Sequence, residues 1–173
     1  MVRSHFHSLA RSIIYQQLAG KAAQTIHDRV AALGASRRFP SAAELLELSD
    51  DRLRGAGLSR NKIAALRDLA QQVESGSLKL ASIGRLGDEA IVERLVEVRG
   101  VGRWTAQMFL MVRLGRLDVM PATDLGVREG LRRLDALDAR PSPAEVLERA
   151  AAWRPLCSVA SWVLWRLAEE KPS

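Results

Sequence analysis

Thiols are almost absent from this chain, which has a single cysteine, Cys157, in 173 residues. One thiol cannot form an internal disulfide, a multi-cysteine zinc site or a protein-held iron–sulfur cluster, because each of these needs further thiolates. Apolar runs of membrane-spanning length are also missing, and the first five residues lack the apolar region of a signal peptide. The sequence therefore predicts a cytoplasmic protein with no metal cofactor and no membrane partner.

Lysine is scarce, since 22 of the 26 basic residues are arginine, and the net charge is +6. An arginine-rich, basic chain favours an anionic partner, because the guanidinium group pairs with phosphate through two parallel hydrogen bonds. Arginine bias can equally reflect genome composition. Charge alone therefore does not establish that the partner is a nucleic acid.

Strand patterns are missing too, because apolar residues recur at helical spacing and no alternating run is long enough for a strand. The first helix is expected to carry Leu9 to Leu18. Capping boxes begin later helices at Ser41 with Glu44 and at Ser142 with Glu145. The predicted fold class is all-α.

Residues 98–106 form a glycine-bracketed turn between two helical patterns, and Asp88 is expected to cap the helix that leads into it. Gly100 and Gly102 permit positive φ and leave the N–H groups that open the second helix uncovered, which is a site for a phosphate oxygen. With Arg99 and Arg103 beside it, the predicted ligand is a nucleic-acid backbone. The alternative is a plain helix–helix turn. A dinucleotide-binding loop is excluded, because Thr105 replaces the third glycine and no strand precedes the turn.

Four segments, in order along the chain, resemble motifs of the DNA glycosylase superfamily that carries a helix-hairpin-helix, a Gly/Pro-rich loop and a catalytic aspartate. Residues 95–106 look like the hairpin, and residues 121–128 look like the loop, with Asp124 at the catalytic position. Residues 13–22 and 153–162 are similar to the first-helix and C-terminal-helix motifs of the alkylpurine branch, the DNA-3-methyladenine glycosylase II (AlkA-like) group. Some members have a β-rich domain ahead of the first helix, so this chain resembles a compact form.

The resemblance implies two helical lobes with the active-site cleft between them. Residues 21–118 would form a central helical bundle that contains the helix-hairpin-helix, at about 91–114. Residues 1–20 and 119–173 would together form the second lobe. Double-stranded DNA with alkylated bases would be the partner, and we expect a monomer that associates with the nucleoid when bound to DNA.

The resemblance also assigns roles to individual residues. Asp124 would be the catalytic carboxylate, although an Asp before an apolar helix is also a common N-cap. Leu18, with Gln17, would be the wedge that fills the gap left by a flipped base; the alternative for Leu18 is a core leucine. Tyr15 and Trp104 would stack on the base by cation–π attraction. The phosphate-binding residues would be Arg99, Gly100, Val101, Gly102, Arg103 and Thr105.

Departures from the superfamily pattern sharpen the expected activity. Bifunctional members place a lysine after the hairpin to form a Schiff base with the sugar, and Trp104 occupies the matching position here, so hydrolysis without strand cleavage is expected. No cofactor is expected, and the prediction allows a monovalent cation at the hairpin. Trp153, Trp162 and Trp165 are expected to pack the second lobe, with the alternative that one reaches the base pocket.

Two alternatives to this function remain open from the sequence. One is a glycosylase with another base preference, such as alkylated pyrimidines or mispaired adenine. The other is a non-catalytic helix-hairpin-helix protein that binds DNA.

Overall fold

The computed structural model describes residues 4–35 and 38–170. Within these ranges the chain is helical and contains no strand, which confirms the all-α class. No helix in the described ranges is long and apolar enough to cross a membrane. The α-helices of the described chain are α1 (His5–Tyr15), α2 (Gly20–Ala31), α3 (Ala42–Glu47), α4 (Asp50–Gly55), α5 (Arg60–Glu74), α6 (Asp88–Val96), α7 (Arg103–Met108), α8 (Leu125–Leu134), α9 (Pro143–Ala150) and α10 (Cys157–Glu169).

The chain divides into two compact units, one that ends at Ala106 and one that begins at Gln107. Helix α1 lies in the first unit, where it packs against α2 and α5 through a buried apolar face that includes Leu9, Ile13 and Ile14. This division differs from the expected one, which grouped residues 1–20 with residues 119–173 and placed a boundary near residue 118. The expected lobes stay a prediction.

The capping boxes in the sequence correctly predicted where α3 and α9 begin. Ser41 Oγ accepts the Glu44 N–H at 3.2 Å while the Glu44 carboxylate accepts the Ser41 N–H at 2.7 Å, so the capping box that begins α3 is confirmed. The capping box of Ser142 and Glu145 is confirmed in the same way at α9. Asp88 is wrong as a cap, because Gly87 is the N-cap of α6 and Asp88 is the first helical residue. There its charge still favours the helix N-terminus.

The second hairpin helix is shorter than its apolar pattern suggested. Helix α7 ends at Met108, and a π-helical segment, Phe109–Arg113, continues it to a left-handed Gly115 with φ +68°. The sequence predicted a helix-hairpin-helix over about residues 91–114, with no change of helix type within it. A π segment changes which residues share a face without changing their composition, so the apolar pattern did not indicate it.

In the second unit, α8 and α10 pack so closely that one glycine lies directly on the neighbouring backbone. A Cβ at Gly130 would lie 2.0 Å from the Leu164 carbonyl oxygen. The core around this crossing consists of buried apolar residues from the described chain, Met120, Ala122, Val127, Leu131, Val146, Ala150, Cys157 and Leu164. The absence of a side chain at 130 therefore sets how close the two helices come.

Candidate active site and nucleic-acid interface

Asp124 is the N-cap of α8, as its position before an apolar helix predicted. Its Oδ1 accepts the Val127 N–H at 2.9 Å. The same oxygen accepts the indole N–H of Trp165 at 2.8 Å. The segment before it is fixed to α10, because Ser158 Oγ accepts the Val119 N–H at 3.1 Å and donates to the Arg116 carbonyl at 2.7 Å. The carboxylate is thus held in one orientation from both helices.

Gly126 gives the indole of Trp165 access to Asp124. A Cβ at position 126 would lie 2.8 Å from Trp165 Cδ1 and 3.1 Å from Asp124 Oδ1, both closer than a normal contact. Trp165 also meets Trp162 edge to face, with ring centroids 5.1 Å apart. Trp165 packs against the buried core of this unit, as expected, but its pattern did not predict the hydrogen bond to Asp124, 41 residues away.

The hairpin turn, residues 97–102, is built around Gly100, which has φ +78°. A Cβ there would lie 3.2 Å from Ala65 Cβ, so the turn sits close against α5. The Arg99 N–H donates to Asp68 Oδ2 at 2.8 Å, and the Val101 N–H donates to the Val98 carbonyl at 3.0 Å. These two amides are therefore already satisfied inside the protein, which weighs against Val101 as a phosphate donor.

Gly102 lies at the start of α7, where its carbonyl accepts the Ala106 N–H at 3.0 Å. Its φ is not positive, and no atom beyond its neighbours lies within 4 Å of a Cβ built there. The N–H groups of Arg103 and Thr105 belong to the first helical turn, which has no intrahelical acceptors. The space over this turn is consistent with the predicted phosphate contact.

The side chains around the turn divide into buried and exposed groups. Val101 and Thr105 are buried, so their side chains are not available to a ligand. Arg99 is exposed. Arg103 is exposed too, but it donates two hydrogen bonds of 2.7 Å to Glu89, and this lowers the pKa of the Glu89 carboxyl. An exposed pair of this kind is worth at most about 1 kcal/mol, so a phosphate can replace Glu89 at small cost.

The turn between α1 and α2, residues 16–19, carries the predicted wedge. Helix α1 ends at Tyr15, not at Leu18 as the apolar pattern suggested, and Gln17 adopts a left-handed conformation with φ +56°. Leu18 is 38% exposed, so the alternative of a core leucine is wrong. An exposed leucine on a short turn is available to contact a ligand.

The two predicted stacking residues lie in the first unit. Trp104 is 44% exposed. Tyr15 has one ring face covered by Arg11, whose guanidinium carbon lies 3.9 Å from the ring centroid, and its hydroxyl donates to Gln24 Oε1. The Tyr15 and His27 rings also meet at a steep angle, with centroids 6.4 Å apart and ring planes 67° apart. Arg11 therefore excludes a base from one face of the Tyr15 ring.

Cys157 does not offer a nucleophile. The thiol is buried, and burial together with the nearby Asp118 carboxylate raises its pKa to about 11. A thiol with that pKa is almost entirely protonated at neutral pH, whereas the thiolate is the reactive form. In the described ranges no group of three or more His, Cys, Asp or Glu side chains could hold a metal ion.

Residues 10–155 match the model of the HhH-GPD superfamily of base excision DNA repair proteins. The chain belongs to this superfamily. The matched range includes the 16–19 turn, the hairpin and Asp124.

Relatives within the HhH-GPD superfamily match nearly the whole chain. DNA-3-methyladenine glycosylase 1 of Schizosaccharomyces pombe is 34% identical over 165 residues, which are 95% of this chain and 72% of that protein. The solved structure of that enzyme, Mag1, in complex with abasic DNA superposes on this chain with a TM-score of 0.84. The superposition covers 95% of this chain and 80% of the Mag1 chain.

Two bacterial proteins are similarly close. The crystal structure of a Bacillus halodurans DNA-3-methyladenine glycosidase is 36% identical, with a TM-score of 0.87 over 96% of this chain and 76% of that one. The Bacillus subtilis protein YfjP is 32% identical over 171 residues. These residues are 96% of this chain but only 60% of YfjP.

Proposed function

We propose that this protein is a monofunctional DNA glycosylase that hydrolyses the N-glycosidic bond of alkylated bases in duplex DNA and leaves an abasic site, as a step of base excision repair. The preferred substrates would be N3-methyladenine and related alkylpurines. Its family and the names of its relatives support this activity. The observation that carries the proposal is Asp124, the aspartate of the matched loop, fixed by hydrogen bonds from Val127 and Trp165.

The chemistry suits a site with one carboxylate. An N3- or N7-alkylated purine is already cationic, so its glycosidic bond is weakened and the base leaves neutral without a general acid. Positive charge then grows on the sugar. A preorganised carboxylate near C1′ stabilises that charge and can orient or deprotonate the attacking water. In this proposal Asp124 has both roles.

The remaining residues of the proposal extrude and hold the base. A base inside a duplex is shielded, so it must leave the stack at a cost of a few kcal/mol. Leu18, beside Gln17, would fill the gap, and Trp104 together with the face of Tyr15 that Arg11 does not cover would receive the cationic base. The first turn of α7 and the exposed guanidinium groups of Arg99 and Arg103 would bind phosphates. The protein would act as a monomer on chromosomal DNA, in the cytoplasm and at the nucleoid.

Incubation with randomly alkylated duplex DNA tests the activity directly. We expect mass spectrometry to show released 3-methyladenine and related alkylpurines, while the strand stays intact until its abasic sites are cleaved chemically. Borohydride added during turnover should trap no protein–DNA adduct, because Trp104 offers no amine to the sugar. Release of alkylated pyrimidines or mispaired adenine alone would reassign the substrate. Binding without release of any base would indicate a non-catalytic protein.

A Leu18→Ala variant tests the wedge. Because Leu18 is exposed, the variant should lose much less stability than the about 2–5 kcal/mol typical of a buried leucine. Excision from a fully paired duplex should fall several-fold more than excision from a mismatched duplex, where unpairing costs less. Single-turnover rates on the two substrates measure this ratio, and an unchanged ratio would argue against the wedge.

A Gly102→Leu variant tests the phosphate-binding role of the hairpin. A Cβ at 102 would have no other atom within 4 Å, so the fold should tolerate a larger residue there while its side chain blocks the first turn of α7. Binding to damaged and undamaged duplexes should weaken alike. The slope of log affinity against log salt should become shallower by about 0.9 for each phosphate that the variant no longer neutralises.

The matched control for Gly102→Leu is Gly87→Leu. Gly87 is the N-cap of α6 and likewise has no atom within 4 Å of a Cβ. The Gly87→Leu variant should lose the same amount of stability from a leucine at a helix start. Its affinity for DNA should stay at the wild-type value. Equal affinities for both variants would remove Gly102 from the interface.

A further inference from the structure

Helix α5 contacts two turns that the proposed function uses for separate tasks. One is the 16–19 turn, which carries Leu18, and the other is the hairpin turn, residues 97–102. Lys62 Nζ donates to the Gln16 carbonyl at 2.9 Å and also to the Ile14 carbonyl. These carbonyls lie at the end of α1, where the helix itself supplies no donor. Lys62 therefore closes that end of α1 and fixes the point from which the 16–19 turn starts.

Further along α5, two residues hold the hairpin turn. Asp68 accepts the Arg99 N–H at 2.8 Å. Ala65 lies directly beneath Gly100. Lys62, Ala65 and Asp68 are spaced three residues apart, so they lie close to one another on the helix surface. The two turns are thus mounted on one rigid helix.

Gln16 joins the two turns directly. Its side-chain Nε2 donates to the Gly100 carbonyl at 2.9 Å and lies 3.5 Å from Thr105 Oγ1. The next residue, Gln17, has φ +56°, a conformation that a non-glycine residue adopts at a cost and only where its surroundings fix it. The backbone of Gln16 is held by Lys62 and its side chain by the hairpin. Leu18 therefore lies two residues after this double attachment.

We infer that Gln16 and Lys62 are positioning residues that hold the Leu18 wedge at a fixed height relative to the phosphate-binding hairpin. The inference rests on the proposed function. When the hairpin grips the backbone, the attachment through Gln16 sets how far Leu18 can enter the base stack. If the Gln16 side chain no longer bonds to the hairpin turn, the hairpin still binds the DNA backbone. The 16–19 turn is then free to move away from the duplex when Leu18 contacts a well-stacked base pair.

The test is Gln16→Met, which keeps the length of the side chain and removes the donor. Excision from a fully paired alkylated duplex should fall about three- to tenfold, the effect of removing one hydrogen bond. Excision from a duplex with the lesion in a mismatch should change less than about twofold, because little unstacking is left to perform. Affinity for undamaged duplex should stay at the wild-type value. A purely structural role would lower both rates together.

A second readout does not depend on excision. In a duplex with an abasic analogue next to 2-aminopurine, wild-type protein should raise the fluorescence of 2-aminopurine as the wedge unstacks it, and Gln16→Met should give a much smaller rise at saturation. Gln16→Glu keeps the shape, also lacks the donor, and should behave in the same way. It serves in place of the methionine variant if that variant melts at the assay temperature.

The matched control is Gln72→Met. Gln72 donates to Asp68 Oδ2 at 2.9 Å and to the Glu97 carbonyl at 3.4 Å, so its hydrogen bonds support the hairpin turn and not the 16–19 turn. Any decrease in the excision rate of this variant should be equal for paired and mismatched substrates. The rise in 2-aminopurine fluorescence should equal that of the wild type. If the Gln16 variants show the same pattern as Gln72→Met, the positioning role is overturned. If wild type unstacks 2-aminopurine but releases no base, the proposed function fails while the positioning role is still decided by the fluorescence.

Discussion

An Asp124→Asn variant should fold normally and still bind alkylated duplex DNA, yet release base at least about a hundredfold more slowly than wild type. Asparagine is as good an N-cap as aspartate, and its carbonyl oxygen can accept the hydrogen bonds that Val127 and Trp165 now donate to Oδ1. It carries no negative charge, so it can neither stabilise a sugar cation nor take a proton from water. Single-turnover rates and thermal melting of the same preparation measure both halves of the prediction.

A helix-cap variant elsewhere in the same unit controls for Asp124→Asn. Ser142 caps α9 through the Glu145 N–H, and Ser142→Ala should cost about 1 kcal/mol of stability. Because the proposed reaction uses no group of Ser142, that variant should keep its rate of base release. If Asp124→Asn instead keeps near-full activity, Asp124 is a helix cap and the catalytic carboxylate lies elsewhere.

The sequence predicted those features whose causes are local. Ser41 with Glu44 and Ser142 with Glu145 begin helices because each pair satisfies its own backbone donors within four residues. The same holds for Asp124, whose position before an apolar helix made it an N-cap whatever else it does. The glycine turn itself indicated Gly100 and Gly102, and the motif resemblance added Leu18; their roles stay predictions. None of these needed knowledge of how the helices pack.

Contacts between distant residues could not be predicted in the same way. Trp165 reaches Asp124 across 41 residues and Gln16 reaches Gly100 across 84, and a tryptophan or a glutamine in a helical pattern has many alternative partners. The end of α1 at Tyr15 also depends on such contacts. Lys62 supplies donors to the last carbonyls, and Gln17 then turns left-handed, so tertiary contacts override an apolar pattern that runs on to Leu18.

The second large effect, a loss of stability, is expected at the crossing of α8 and α10. Two glycines lie there one helical turn apart: Gly130 allows the helices to pack closely, and Gly126 leaves room for the indole of Trp165. In an open helix, Gly→Ala stabilises by up to about 1 kcal/mol. At Gly130 the added Cβ would lie 2.0 Å from the Leu164 carbonyl oxygen, and backbone cannot rotate away as a side chain can. Gly130→Ala must push the helices apart, so we expect a loss of at least about 3 kcal/mol, the upper end of the usual cost of overpacking. For a chain of this length, that loss lowers the melting temperature by at least about 6 °C.

Gly126→Ala should separate activity from stability at the same crossing. Its Cβ would meet the Trp165 ring edge at 2.8 Å, and a side chain can shift where a backbone cannot, so the melting temperature should fall much less than for Gly130→Ala. The shifted indole would no longer donate to Asp124, and a hydrogen bond to a charged group is worth about 1.5–3 kcal/mol, so base release should slow about tenfold or more. Trp165→Phe, which removes the donor and keeps a ring, should slow release to a similar extent.

Gly55→Ala is the control for both glycine variants, because Gly55 ends α4 with no atom within 4 Å of a Cβ. Its rate of base release and its melting temperature should both stay close to the wild-type values. A Gly126→Ala protein with the wild-type rate would show that Asp124 needs no orientation from Trp165, whereas a Gly130→Ala protein with an unchanged melting temperature would contradict the close packing of α8 on α10.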